Sequence, residues 1–288
     1  MTRSESLESL KNRIAGIERL RAVEANSVAM AGTGHAGIDH ALGGGLARGR
    51  VHEVFAAEAG DAGCAAGFVS VLAHRFGLGS GGALVWLREV RAERQGGTLH
   101  GPGLVGIGID PRQVIIGLMP DPLAVLRAAA DVVRCPEVGV AVIELWQSPR
   151  LLDLTASRRL ALAAEASGVT VIALRIAAQP APSAAQTRWQ VAAAASAPLE
   201  ANAPGHPAWT IDLLRQRGRP AGGTWRVEWN REQACFEDAC LGGDSPAGST
   251  RSAPPIAPPT SAPLSGAVLP LSAGGPVEEG ASALRRTG

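Results

Sequence analysis

The chain has 288 residues, 46% of them hydrophobic and only 18% charged, which is enough apolar material for a globular core and excludes a wholly disordered protein. Its 27 Lys and Arg against 26 Asp and Glu leave a formal net charge of +1. No strong overall field therefore draws it to nucleic acid or to a membrane, and any DNA contact must come from a local arginine cluster.

The opening segment MTRSESLESLKNR is charged from the start, unlike a secretory signal. The longest apolar stretch, around residues 123–146, is interrupted by Arg127, Asp131, Arg134 and Glu137 and is not expected to span a bilayer. Four cysteines, Cys64, Cys135, Cys235 and Cys240, share no CxxC spacing, the six histidines are scattered, and reduced thiols in a cytoplasmic protein are expected. No metal site or cofactor is expected.

Residues 4–25 read as a helix, with Leu7, Leu10, Ile14, Ile17 and Leu20 on one stripe and Thr2 with Glu5 as a capping box. That stripe either packs on its own domain or docks a partner, and both readings stand. From about residue 31, apolar strand runs alternate with helical stretches. The strands are VHEVFA (51–56), ALVWLR (83–88), QVIIGL (113–118), VGVAVIEL (138–145) and VTVIALRI (169–176); the helices fall at about 64–76, 121–134 and 151–167. Runs without polar alternation suit strands buried on both faces, and strands alternating with helices suit a parallel sheet, so a three-layer α/β domain is predicted. AWTIDLLRQ (208–216) and GTWRVEWN (223–230), joined by RGRPAGG, predict a C-terminal β-hairpin. From residue 239 the chain is rich in Pro, Ser, Ala and Gly with no period, which predicts a disordered tail. The expected organisation is an N-terminal amphipathic helix and linker (1–30), a core with its hairpin (31–238) and the tail (239–288).

The connection after the first long strand, AAEAGDAGCAAG (56–67), has the outline of a phosphate-binding loop. A working P-loop uses backbone N–H groups, a lysine for the β and γ charge and a hydroxyl for magnesium. Here Gly60, Gly63 and Gly67 supply the glycines, but Cys64 and Ala65 stand where lysine and hydroxyl are sought, and Glu58 and Asp61 add negative charge. Lys11 is the single lysine of the sequence, and no arginine occurs between Arg50 and Arg75. Since phosphoryl transfer rests on positioning and electrostatics, ATP hydrolysis is not expected of this loop.

GIDHALGGGLARGRVHEVF (37–55) resembles the segment leading into the first ATPase strand of RecA-type recombinases. With VVRCPEVGVAVIE (132–144), SRRLALAAEASGVTVIALR (157–175), TRW (187–189) and LLRQRGRP (213–220) followed by WRVEW (225–229), the order of motifs resembles the ImuA family over roughly residues 30–232. This resemblance implies a RecA-like fold and the role of an accessory protein in SOS mutagenesis. It implies as partners the ImuB-like inactive polymerase, the error-prone replicative-type polymerase ImuC, and RecA itself. By the same resemblance Gly60, Gly63, Cys64, Glu144 and Arg175 form the relic of a nucleotide site: Glu144 takes the place of a magnesium-linked aspartate and Arg175 that of a nucleotide-sensing glutamine. Glu89 lies near the place of a catalytic glutamate, although a solvated glutamate beside Arg88 and Arg91 is the plainer reading. Two other functions remain as alternatives, a working DNA-dependent ATPase related to recombinases and an SOS-linked inhibitor of cell division.

Candidate contacts to a partner or to DNA are Arg188 beside Trp189, and Arg215, Arg217 and Arg219, which would share one strand face if the strand ran that far; Arg158 and Arg159 form a further basic pair. Trp86 and Trp146 end strand runs and are expected in the core, and Trp225 and Trp229 are expected to pack on the sheet.

Overall fold

The computed structural model describes residues 29–77, 82–147, 151–199, 203 and 205–239. The chain divides into two units, Met1–Asp244 and Ser245–Gly288, and every described residue belongs to the first. The stripe of Leu7, Leu10, Ile14 and Ile17 and the tail from residue 240 onward lie outside the described residues.

In chain order the first elements are β1 (Met30–Ala31), α1 (Ala36–Leu42), β2 (Leu46–Ala47), β3 (Val51–Ala56), α2 (Ala62–Arg75) and β4 (Ala83–Glu89). Next come α3 (Val90–Gly96), α4 (Gly101–Ile107), β5 (Val114–Met119), α5 (Pro122–Val132), β6 (Val138–Trp146), α6 (Leu154–Ser167) and β7 (Thr170–Ile176). The last are β8 (Thr187–Ala193), β9 (Ala208–Gln216), β10 (Thr224–Asn230) and β11 (Cys235–Asp238). Nine strands form one sheet in the order β11-β10-β9-β8-β3-β7-β6-β4-β5. From β8 to β5 all neighbours run parallel, and from β8 to β11 all run antiparallel. The protein is thus the expected three-layer α/β domain with a mostly parallel sheet.

The continuous apolar runs are explained by helices on both faces, as every residue of β3 and β7 is buried. On one face, Phe68, Val69 and Leu72 of α2 pack on Val54, Trp86, Val142 and Leu174. On the other, Val125 and Ala129 of α5 and Leu160 and Ala164 of α6 pack on Val85, Ala141, Ile143 and Val171. Local chemistry sets the helix ends. The Asp121 and Asp153 carboxylates accept from the Ala124 and Ala156 amides at the starts of α5 and α6, and Gly168 closes α6 at φ 82°. Among the described residues no helix is long and apolar enough to cross a membrane.

The C-terminal part is larger than the predicted hairpin. β9 and β10 pair as expected, but β8 and β11 turn the hairpin into a four-strand antiparallel extension. β8 joins the two halves, parallel to β3 on one side and antiparallel to β9 on the other. Its apolar residues continue the α2-side core, where Phe68, Trp209, Trp229 and Phe236 meet at ring distances of 5.5–5.9 Å. Trp86 and Trp146 are buried as expected. Helices α3 and α4 were not predicted, because each has only seven residues, too few to show an apolar period, and α4 carries three glycines.

Chain direction across the sheet reverses between β4 and β6: β4 leads outward to β5, whereas β6 leads back to β7. In parallel α/β sheets the crevice beyond the strand ends at such a reversal is the usual binding place.

Candidate functional site

At that reversal lies a cleft of about 410 Å³, walled by the first turns of α2, the connection from α3 to α4, and the ends of β4 and β6. Gly63, Gly67, Gly97 and His100 line it, with Arg88 and Glu144 at its base. Gly63 and Glu144, two of the expected relic residues, therefore share one cavity.

The glycine loop is short and wound. After β3 only Ala57 and Glu58 precede a single 3-10 turn, Ala59–Asp61, which runs straight into α2. Neither Gly60 nor Gly63 has a positive φ, and a Cβ on either would meet nothing within 4 Å. The fold therefore places no steric demand for glycine at either position. Gly63→Ala is expected to raise stability by about 0.5–1 kcal/mol in denaturant titration, since it removes only backbone entropy from a helical position. A loss of stability on this substitution would show an unseen demand for glycine.

A helix N-terminus ordinarily lowers a nearby thiol pKa. Burial, reinforced by Asp61, instead pushes the Cys64 thiol up to about 11. The Cys64 carbonyl accepts from Trp209 Nε1 at 2.9 Å, which ties the first turn of α2 to the C-terminal extension.

Glu144 is 3% exposed and held on three sides. Its Oε1 accepts from Arg88 Nη2 at 3.0 Å and from Trp146 Nε1 at 2.8 Å, and its Oε2 accepts from Trp86 Nε1 at 2.8 Å. Two adjacent strands supply all four residues, Trp86 and Arg88 from β4 and Glu144 and Trp146 from β6, each pair two apart and so on one face. Arg88 also donates to the Gly97 carbonyl at 2.9 Å, while its Nε has no partner among the described residues. A divalent cation brought to this carboxylate would meet the guanidinium already paired with it.

Arg175 is not part of this cleft. It alternates with Leu174 and Ile176, which face α2, so it projects to the α5–α6 side. There it lies over the Phe55 ring at 5.6 Å, and Arg188 lies over the same ring at 5.6 Å. Burial, partly offset by Glu53 and reinforced by Arg188, holds its pKa below the ordinary guanidinium value. Glu53 Oε2 accepts from Arg188 Nε at 2.9 Å and from Ser183 Oγ at 2.8 Å.

No family model matches the chain, and no curated protein matches it. Among solved structures it is similar to one described as the crystal structure of the RadB recombinase. The identity is 17%, the match covers 73% of this chain and 100% of that one, and the TM-score is 0.48.

The expected surface contacts separate into buried and exposed groups. Trp189 is a correction: it is 2% exposed, with Nε1 donating to Thr187 Oγ1, because β8 lies inside the sheet and turns this ring toward α2. Arg188 is likewise buried, spent on Glu53, Ser183 and the Ala181 carbonyl. Arg215 is half-buried and donates to the Ser183 carbonyl at 3.0 Å. Arg217 and Arg219 are exposed, but β9 ends at Gln216, so the three arginines do not share a strand face. Glu89 is also corrected: it is buried, not solvated, and pairs with Arg91 Nε at 2.6 Å.

Sequence reasoning missed His52, a polar residue inside a fully buried strand. Its Nε2 lies 2.8 Å from the Ala47 carbonyl, which can only accept, so Nε2 carries the proton and Nδ1 accepts from Thr187 Oγ1 at 2.7 Å. Burial lowers its pKa from 6.5 to about 4. The unfolded chain binds this proton between those values and the folded chain does not. Stability is therefore full above pH 6.5 and falls as pH drops toward 4, by up to about 3 kcal/mol. Denaturation midpoints measured from pH 7 to 4 should show this slope, and His52→Gln should flatten it.

Proposed function

We propose that this chain is a RecA-like accessory protein of error-prone translesion synthesis that does not hydrolyse ATP and acts by binding other proteins in the DNA damage response. Its partners are an ImuB-like inactive polymerase, the ImuC-type polymerase complex, and RecA. The order of the family-like motifs supports the pathway, and the sheet architecture supports the RecA-like fold within it.

One observation carries the non-catalytic part of the reading. The carboxylate in the magnesium-linked position, Glu144, is already held by Trp86, Trp146 and Arg88. The loop beside it contains Cys64 and Ala65 and no cation. Surface chemistry favours protein partners: the edge strand β5 exposes Ile115, Ile116 and Leu118 at 57%, 43% and 43%. An exposed apolar edge can bind a partner strand, and soluble chains ordinarily blunt such edges.

Co-expression with the ImuB-like partner followed by affinity purification tests this reading. A stoichiometric complex that survives without nucleotide is expected, and Ile116→Lys on the exposed edge is expected to weaken it. Recovery of the tagged chain alone, from cells that make soluble partner, would contradict it.

A further inference from the structure

Helices α5 and α6 leave a groove between them of about 310 Å³, far from the cleft at Glu144 and on the opposite face of the sheet. Its floor is apolar, with Leu126, Leu160 and Ala163, and its rim carries Arg127, Arg134 and Arg159. A second groove of about 440 Å³ runs along the other flank of α6, where Leu154 and Leu162 stand beside Arg158, Arg215 and Arg217. The consecutive Arg158 and Arg159 thus serve opposite flanks of α6, but the second groove is the more polar of the two, with Glu165 and Ser183 in its lining.

The acids nearby do not neutralise this face. Asp121 and Asp153 cap the helices, Glu165 pairs with Arg50, and Asp131 reaches Arg134 only at 3.5 Å between exposed groups. Among the described residues Arg127, Arg158 and Arg159 form no ion pair. Leu151 and Leu154 at the mouths of the grooves are each 49% exposed. Leucines left in water beside unpaired arginines ask for an occupant that offers apolar side chains and carboxylates together.

We propose that the α5–α6 face docks an acidic amphipathic helix of a partner protein. The apolar stripe of that helix lies in the groove over Leu126 and Leu160, and its Asp and Glu side chains meet Arg127, Arg134 and Arg159. A nucleic acid fits less well. Its phosphates would satisfy the arginines, but neither groove has an aromatic residue to stack a base, and the leucines would stay uncovered. The proposal rests on the reading that the chain works through protein partners; ATP turnover would overturn that reading and leave the groove as it is.

Selection from a phage library of random 16-residue peptides against the full chain tests it. Enriched peptides are expected to carry Asp or Glu and Leu, Ile or Phe at helical spacing. Their capture is expected to fall at least tenfold in the double variant Arg127→Glu, Arg159→Glu and to be unchanged in Arg112→Glu, an exposed arginine outside both grooves. Both substituted positions are on the rim, so thermal melting should match the parent chain. The proposal is overturned if no acidic amphipathic peptides are enriched or if their capture ignores the double variant. It is equally overturned if a single-stranded oligonucleotide binds the parent chain and the double variant abolishes that binding, which would make the face a nucleic-acid surface.

Discussion

Glu144→Ala is expected to lower folding stability by about 3–5 kcal/mol, the range for removing one partner of a buried ion pair. The parent carboxylate accepts three hydrogen bonds inside the protein, from Arg88, Trp86 and Trp146. Alanine leaves a buried guanidinium with no counter-charge and two indole N–H groups with no acceptor, and each orphaned donor adds its own desolvation cost. Glu144→Gln should cost less, because one amide oxygen still accepts, but its NH2 group then faces a donor. Denaturant titration of both variants checks the ranking. The outcome also separates two accounts of the residue. In an ATPase that used Glu144 at a metal, alanine would cut turnover and leave stability almost intact. Here stability is the property that moves.

On the opposite face, Glu53→Leu is expected to cost a similar amount, again about 3–5 kcal/mol. Glu53 is bonded to Arg188 and Ser183 and is the negative charge that offsets both Arg188 and Arg175 around Phe55. Without it two buried guanidiniums face one ring with nothing between them. The double variant Glu53→Leu, Arg188→Met should recover much of the loss, since replacing a whole buried pair by apolar groups is often near neutral. A double-mutant cycle measures that coupling directly. Additive single losses would mean that the pair is not a unit.

The parallel half of the fold was legible because burial on both faces writes itself as unbroken apolar runs. VHEVFA, VGVAVIEL and VTVIALRI each became a central strand within a residue or so of the predicted limits. β8 was missed because TRWQVAA alternates only briefly before a run of alanines, and what makes it a strand is a parallel neighbour, β3, more than a hundred residues earlier. Helices α3 and α4 were missed because seven residues are too few to show an apolar period, and α4 also carries three glycines. In the site, the absence of lysine could be read from the chain. The grip on Glu144 could not, for it depends on β4 and β6 lying side by side, a fact of sheet order. Trp189 shows the same limit in reverse: beside Arg188 in sequence it looks like a contact pair, yet strand alternation sends the tryptophan into the α2-side core and the arginine to Glu53. One signal was available and unused: His52 and Glu53 are two polar residues inside an otherwise apolar strand, a pattern that marks buried hydrogen-bonded groups.

The central claim is the proposal that the cleft where the glycine loop meets β6 holds no magnesium nucleotide, because the loop itself carries no cation and the Glu144 carboxylate is already paired with Arg88. Calorimetric titration of the purified full chain with ATP and magnesium tests this most directly. The account predicts no saturable heat up to millimolar ATP. Saturable binding in the micromolar range, abolished by Gly63→Trp at the mouth of the cleft, would contradict it.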